Sequence, residues 1–348
     1  MLFYISIAFF LLFISFCWYD GTIKIIGNKV IFLLAGISLL FLAGFRYGFE
    51  TDYFSYKSIF EKDGMNYEPL FVFLIRFCKS YIADSYNAFV FLIAFLSISL
   101  KISFFAKCRN SCLALFLYFC LFYIMAETNG IRQGFAISFL LLSLPCVRNR
   151  KLIRFSFFVL LATCCHTSSL IFLPVYFICN LRLSIKKIVA IICMTIVIRF
   201  IFFDMVVQTI EFLFLRFNQN TYIFSAVRGY LSNGTESILT VGLIRRIIYI
   251  VLFLLLNGRR NIQNVYFNTY LLGVCIYTLF MGNSVLSNRF SLSFEAALVP
   301  LFANLHFKLS WKNIYLLACV YILSLALLIM LLSKSNAVPY QSYLFLEG

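Results

Sequence analysis

The chain has 348 residues, of which 63% are hydrophobic and only 12% charged, about half the charged share of an ordinary soluble domain. A single soluble core stops growing at roughly 250 to 300 residues and still needs a charged surface. A soluble enzyme, a secreted domain and a disordered chain are therefore excluded, and the scarcity of period-two alternation argues against an outer-membrane barrel. The net charge of +16 would suggest nucleic acid as the partner of a soluble protein. No basic stretch here is long enough to form a nucleic-acid stripe. The basic residues flank apolar runs instead, as topology signals and contacts to anionic lipid.

The expected class is all-α, a polytopic helical integral membrane protein with about ten full spans. They read at Leu2 to Tyr19, Val30 to Phe45, Tyr86 to Ala106, Cys112 to Ala126, Ile131 to Val147, Ile188 to Phe203, Ile238 to Leu256, Val265 to Met281, Phe290 to Leu305 and Ile314 to Leu332. Each is long enough to cross a hydrocarbon layer of about 30 Å. The first has no basic segment ahead of it and no small-residue cleavage site after it, so it reads as a retained span rather than a signal peptide. Residues 1–348 form one transmembrane domain in this reading. Two hydrophilic excursions interrupt it: 46–85, an external loop whose segment Pro69 to Ile82 carries Arg76 and Lys79 and has the pattern of an interfacial amphipathic helix, and 204–236, a second external loop.

Between Arg154 and Arg182 the apolar stretch is too long for one untilted span and short for two. His166-Thr167-Ser168-Ser169 lies at its centre, with Pro174 beyond. A hairpin of two short arms with His166 at the apex fits, which raises the count to between ten and twelve; a single tilted span is the alternative. Placing the amino terminus outside puts Lys24, Lys29, Lys101, Lys107, Arg109, Arg148, Arg150, Lys151 and Arg154 in the cytoplasm, the choice the basic-residue bias favours. Charge alone does not orient the second half. The hairpin is adopted because it brings both large loops, His166 and Arg289 to the external face.

Twelve cysteines sit mostly inside apolar runs, as Cys112, Cys120, Cys193 and Cys319 do, and read as small hydrophobes. Adjacent Cys164 and Cys165 lack the spacer of a zinc or redox motif, so no metal is expected. Nucleotide loops, HExxH and a nucleophile elbow are missing, which leaves ATP-driven and zinc-hydrolase readings without support and implies no cofactor.

Four charged groups at span edges are candidates for function, since an ion held near hydrocarbon is costly without compensation. In the first, Arg46-Tyr47-Gly48 precedes Asp52, Tyr53 and Tyr56 and ends at Glu68-Pro69. It offers a cation for phosphate and acceptors for sugar hydroxyls, or an interfacial anchor with an aromatic belt. The second, Glu127 to Gly134, holds Asn129, Arg132 and Gln133 at a tight turn. Arg132 and Gln133 enter the first turn of a helix, whose free N–H groups also favour an anion; a structural clip between Arg132 and Glu127 is the bland alternative. His166 is third, and His306, beside Lys308 at a span end, has the weaker claim. The fourth is Asn288-Arg289-Phe290 with Glu295 deeper in the same helix, either as the partner of Arg289 or as a base raised in pKa by burial.

In this order the groups resemble the EpsG-type family of bacterial polysaccharide polymerases, which includes many Wzy O-antigen polymerases. The resemblance rests on Arg46-Tyr47-Gly48, Asp52-Tyr53, Tyr56, Glu68-Pro69-Leu70, Asn129, Ile131-Arg132-Gln133, His166-Thr167-Ser168, Asn288-Arg289 and Pro339-Tyr340. Glu50-Thr51 depart from it, standing where related chains often have a shorter or Gly-rich link before the Asp.

The resemblance implies an enzyme at the outer face of the bacterial inner membrane. It would move a growing glycan from its undecaprenyl diphosphate carrier onto the next lipid-linked repeat unit. The implied partners are that lipid-linked oligosaccharide, membrane lipids and a regulator of chain length. In this picture Arg46, Arg132 and Arg289 clamp diphosphates, and His166 or one of Asp52 and Glu295 takes the acceptor proton. Tyr53, Tyr56, Glu68, Asn129 and Gln133 line the substrate path. A ligase acting on a lipid core and a lipid-linked oligosaccharide flippase are the rival readings. The gathering of charged groups at one face, away from the bilayer midplane, argues against transport.

Overall fold

The computed structural model describes residues 1–20, 25–48, 52–64, 67–216, 241–258, 261–306, 310–334 and 340–345. Its elements are helical apart from a two-residue antiparallel pair, β1 (Leu183–Ser184) with β2 (Asn261–Ile262), and an isolated bridge between Arg46 and Ser342. Among the described residues, Tyr86–Phe105, Ser111–Asn129, Ile131–Arg148 and Trp311–Ser333 are long and apolar enough to cross a membrane, accompanied by shorter apolar helices such as Leu2–Phe16, Lys29–Gly44 and Val265–Leu279. The chain is an all-α polytopic membrane protein. Its surface chemistry agrees: α1 (Leu2–Asp20) buries Tyr4, Ala8, Leu11 and Ser15 at helical spacing and turns Phe9, Phe10, Phe13 and Phe16 outward. A water-facing helix would reverse that arrangement.

Contacts group the chain into two compact units within this run of helices, Met1–Leu173 with Val299–Gly348, and Pro174–Leu298. In the first unit α2 (Ile25–Gly44) packs on α5 (Tyr86–Phe105), α5 on α7 (Ile131–Arg148) and α7 on α8 (Leu152–Cys165), while α1 packs on α6 (Ser111–Tyr118). Two short helices, α3 (Asp52–Glu61) and α4 (Pro69–Tyr81), occupy the first hydrophilic excursion. α4 is two-faced: Phe71, Leu74, Ile75 and Cys78 are buried, while Phe73, Phe77 and Tyr81 form an exposed aromatic row with ring centroids 6.1 and 5.3 Å apart. That outward row suits a helix at a lipid interface.

The second unit contains α9 (Val175–Ile178), α10 (Ile185–Arg216), α11 (Val241–Asn257), α12 (Val265–Leu279) and α13 (Ser284–Glu295), with α12 packed against α10, α11 and α13. α10 runs on to Arg216, beyond the span expected to end at Phe203, so the start of the second excursion is helical. Residues 217–240, most of that excursion and including Asn218 to Asn220, lie outside the described residues. The segment Phe290 to Leu305, read as one span, is two helices: α13 stops at Glu295, a turn covers residues 296–297, and α14 (Leu298–Ala303) resumes. The last helix is α15 (Trp311–Lys334).

The expected span Cys112 to Ala126 is also composite. After Tyr118 the helix continues as a π-helix over Phe119–Asn129, far longer than the single-turn bulges usual for this conformation. α7 lies directly against it. A Cβ at Gly134 would overlap the Ala126 carbonyl, so only glycine permits this backbone approach. The break at His166 is present as well: α8 ends at Cys165, His166 is extended, and a 3-10 helix follows over Thr167–Phe172.

Candidate functional site

Glu68 precedes Pro69, the first residue of α4, and proline holds its predecessor extended; Glu68 has φ −64° and ψ 142°. Its side chain does not cap its own helix, which leaves the carboxylate to reach outward. One oxygen, Oε2, accepts from Arg132 Nη1 at 2.6 Å. The other accepts from the Thr167 backbone N–H at 3.2 Å and the Thr167 hydroxyl at 3.3 Å, and lies 3.4 Å from His166 Nδ1. Because α4 packs on α8, the start of one helix meets the end of the other. Three sequence-distant candidates, Glu68, Arg132 and His166, thus converge within the first unit. Burial alone would raise the Glu68 pKa, but the neighbouring His166 and Arg132 hold it down at about 2.

Arg132 stands in the first turn of α7, after Gly130. Its guanidinium carbon lies 4.7 Å from the ring centre of Tyr67, 5.6 Å from Tyr56 and 5.8 Å from Phe71. A cation among aromatic faces is stabilised without water, so this Arg is held as a fixed planar group. Gln133 is buried beside it, and Asn129 closes the π-helix. The clip between Arg132 and Glu127 is not formed: Arg132 belongs to Glu68, and Glu127 belongs to Lys101 at 2.6 Å.

Tyr53, one turn before Tyr56 on α3, faces a second group. Its hydroxyl donates to Asn87 Oδ1 at 3.1 Å, and its ring meets those of Tyr47 and Tyr86 at 5.7 and 5.1 Å. Burial lifts the Tyr53 phenol to about 12 against the opposing pull of Arg46. Arg46 itself is 2% exposed. Its Nη1 donates to the Ala43 carbonyl at 2.6 Å, and its backbone bridges to Ser342 of the C-terminal segment. Among the described residues no carboxylate forms an ion pair with it. Asp52 sits in the first turn of α3, where the helix N-terminus favours a carboxylate.

In the second unit Arg289 is partly buried on α13, and Glu295 ends that helix. Glu295 does have an arginine partner, but it is one that sequence reasoning passed over. Arg246 of α11, 2% exposed, lies 2.6 Å from Oε1 through Nη2 and donates to it from Nε at 2.7 Å, with Arg245 3.8 Å from Oε2. Arg246 also donates to the Gly242 carbonyl and stacks 3.5 Å from the Tyr277 ring centre. Lys101 was missed in the same way. Expected at a cytoplasmic edge, it is 1% exposed inside α5. Its Nζ donates to Glu127, Ser97, Gly134 O and Ser138 within 2.8 Å. Glu127 also accepts from Tyr118 and Ser97. Charged groups are therefore not confined to span edges. The available signal was a Lys inside an apolar run with Ser97 one turn away on the same face.

No curated protein and no solved structure matches the chain. The EpsG family model matches residues 29–342, a stretch that takes in Arg46, Glu68, Arg132, His166, Arg289 and Glu295. The chain belongs to the EpsG family, which is linked to exopolysaccharide biosynthesis.

Proposed function

We propose that this protein is a polysaccharide polymerase that transfers a growing glycan from undecaprenyl diphosphate to the next lipid-linked repeat unit, at the outer face of the bacterial inner membrane. The acceptor hydroxyl oxygen attacks the anomeric carbon, the bond from that carbon to the phosphate oxygen breaks, and the diphosphate departs with the electron pair. The hydroxyl proton needs a base. His166 fits that role best: the other candidates are a carboxylate already engaged by two arginines, Glu295, and one stabilised at a helix start, Asp52.

The observation that carries the reading is the carboxylate of Glu68 shared by Arg132, Thr167 and His166. A carboxylate 3.4 Å from Nδ1 favours the tautomer with its proton there and leaves Nε2 to accept the hydroxyl proton. Arg132 orients Glu68 in turn. A transport path has less support, because the ion pairs described within the apolar helices, Lys101 with Glu127 and Arg246 with Glu295, are buried and present little surface to a moving substrate.

The test is the surface-glycan ladder of a deletion strain complemented with His166→Asn or Glu68→Gln. The expected outcome is loss of polymer with a single capped repeat unit retained. A wild-type ladder from both variants overturns the reading. Loss of every repeat unit beyond the core in the deletion strain would replace it with a flippase or ligase.

A further inference from the structure

The Arg46 group contains two buried donors that the described residues leave without acceptors. Arg46 Nε and the Tyr86 hydroxyl have no hydrogen-bond partner among the described residues, and the two side chains' residues are only 2% and 6% exposed. Each lies within electrostatic range of the other. Buried polar groups are almost always satisfied, and a buried guanidinium is ordinarily matched by a carboxylate. Arg132, Arg246 and Lys101 all follow that rule. Arg46 is the exception among the deeply buried cations described: it has no carboxylate ion pair, and although the Asp52 charge is felt at Tyr86, neither Arg46 Nε nor the Tyr86 hydroxyl has an acceptor among the described residues.

The surroundings form walls. Tyr47, Tyr53 and Tyr86 make one aromatic side through their mutual ring contacts. The C-terminal segment makes the other. Ser342 bridges to Arg46, the Tyr47 N–H donates to the Gln341 carbonyl at 2.9 Å, and the Tyr343 N–H donates to the Phe45 carbonyl at 3.2 Å. The Tyr340 hydroxyl donates to the Leu42 carbonyl at 3.1 Å, and its ring packs on Phe3 and Tyr4. The C-terminal segment is thereby built into the first unit beside Arg46.

We propose that Arg46 and the Tyr86 hydroxyl, enclosed by residues 340–345, form a binding pocket for one phosphate oxyanion, separate from the Glu68–Arg132–His166 group. This deepens the polymerase reading and rests on it only for the source of the phosphate, a prenyl diphosphate. Planar N–H donors on a guanidinium and one phenolic O–H suit the oxygens of a phosphate group. Arg132 is less suited, since its charge is already met by Glu68.

The experiment is a ligand titration of the purified full-length protein in detergent, read as the shift in thermal unfolding. Geranylgeranyl diphosphate, inorganic pyrophosphate and geranylgeraniol serve as probes. Both phosphate probes are expected to stabilise the protein and geranylgeraniol is not; tighter binding of the prenyl diphosphate identifies a lipid source, and equal binding a free phosphate. Tyr86→Phe removes one O–H and keeps the ring, and should weaken both phosphate probes about tenfold. Arg46→Lys should weaken them further. Unchanged affinity in Tyr86→Phe and Arg46→Lys, or equal stabilisation by geranylgeraniol, overturns the pocket. If Arg46→Lys does not fold, Tyr86→Phe alone decides. Binding is read without turnover, so a wild-type protein that binds the probes while its deletion leaves the glycan ladder intact would sink the polymerase and spare the pocket.

Discussion

Two ion pairs of the first unit have the same length and opposite settings. Lys101–Glu127 and Arg132–Glu68 both close at 2.6 Å. The first is ringed by Ser97, Ser138, Tyr118 and the Gly134 carbonyl, with side chains 1% and 2% exposed, so every proton of the ammonium has an oxygen. The second lies at helix ends among aromatic faces and has an imidazole 13% exposed at its edge. Full satisfaction without access makes a structural pin. A pair that also faces a partly accessible histidine can take part in chemistry. The comparison separates a cation enclosed among helices from one placed beside a partly accessible imidazole, a distinction that proximity to charge does not supply.

The largest way to break the comparison is to remove one end of the pin. Lys101→Met leaves Glu127 charged and buried, which should cost roughly 3 to 5 kcal/mol and lower the yield of folded protein sharply. The double variant Lys101→Met with Glu127→Gln should recover a large part of that loss. Thermal unfolding of both in detergent checks this; equal destabilisation by the single and double variants would mean that the pair is not coupled. The partner prediction concerns the same backbone junction. Gly134→Ala inserts a methyl group against the Ala126 carbonyl, and should destabilise by about 1 to 3 kcal/mol through overpacking, read in the same assay.

Much of this architecture is legible in the sequence, for physical reasons. Apolar runs mark spans because lipid demands them, and His166 with its polar neighbours marks a break because such residues interrupt membrane helix only where something receives them. Glu68 before Pro69 similarly marks the start of α4. Hydropathy does not reveal the π-helix of Phe119–Asn129 or the break after Glu295, since a change of helical period leaves apolar content intact and the turn itself is Ala296–Ala297, without a polar residue. The assignment of partners was least legible. Arg132 is five residues from Glu127 yet meets Glu68, 64 positions away, and Glu295 is six residues from Arg289 yet meets Arg246, 49 positions away. Sequence adjacency favours local pairs, whereas helix packing chooses the partner on the facing helix. The C-terminal bridge to Arg46 was equally hidden, because two single residues, Arg46 and Ser342, carry no pattern.

Acid provides the next test, with an effect close to that of the Gly134 variant. The Glu68 carboxyl is held at about 2 in the folded protein against an ordinary value of 4.5. Its stabilisation is therefore fully present above about pH 4.5 and lost as pH falls through the folded value near 2. The linkage amounts to roughly 3 kcal/mol at most. Glu68→Gln should flatten that part of the stability curve while leaving acid sensitivity from other carboxyls in place. Superimposable acid limbs for wild type and variant would show that the cluster does not hold Glu68 ionised.

The smallest expected stability effect, and the sharpest for the comparison, is Arg132→Lys. The ammonium keeps the charge facing Glu68, so the protein should fold with a loss of about 1 kcal/mol or less. It cannot keep the guanidinium's cation–π contacts with the Tyr67 and Tyr56 rings, and a looser cation lets Glu68 drift from His166. Polymer length should therefore fall far more than stability does, seen as a shortened or missing glycan ladder from protein present at wild-type level. The matching change in the pin, Lys101→Arg, reverses the pattern: a larger head forced into a filled cage of oxygens should reduce folded protein first, and activity only in proportion to what remains. If the two variants lose stability and activity in the same ratio, the division between a structural pair and a chemical one fails.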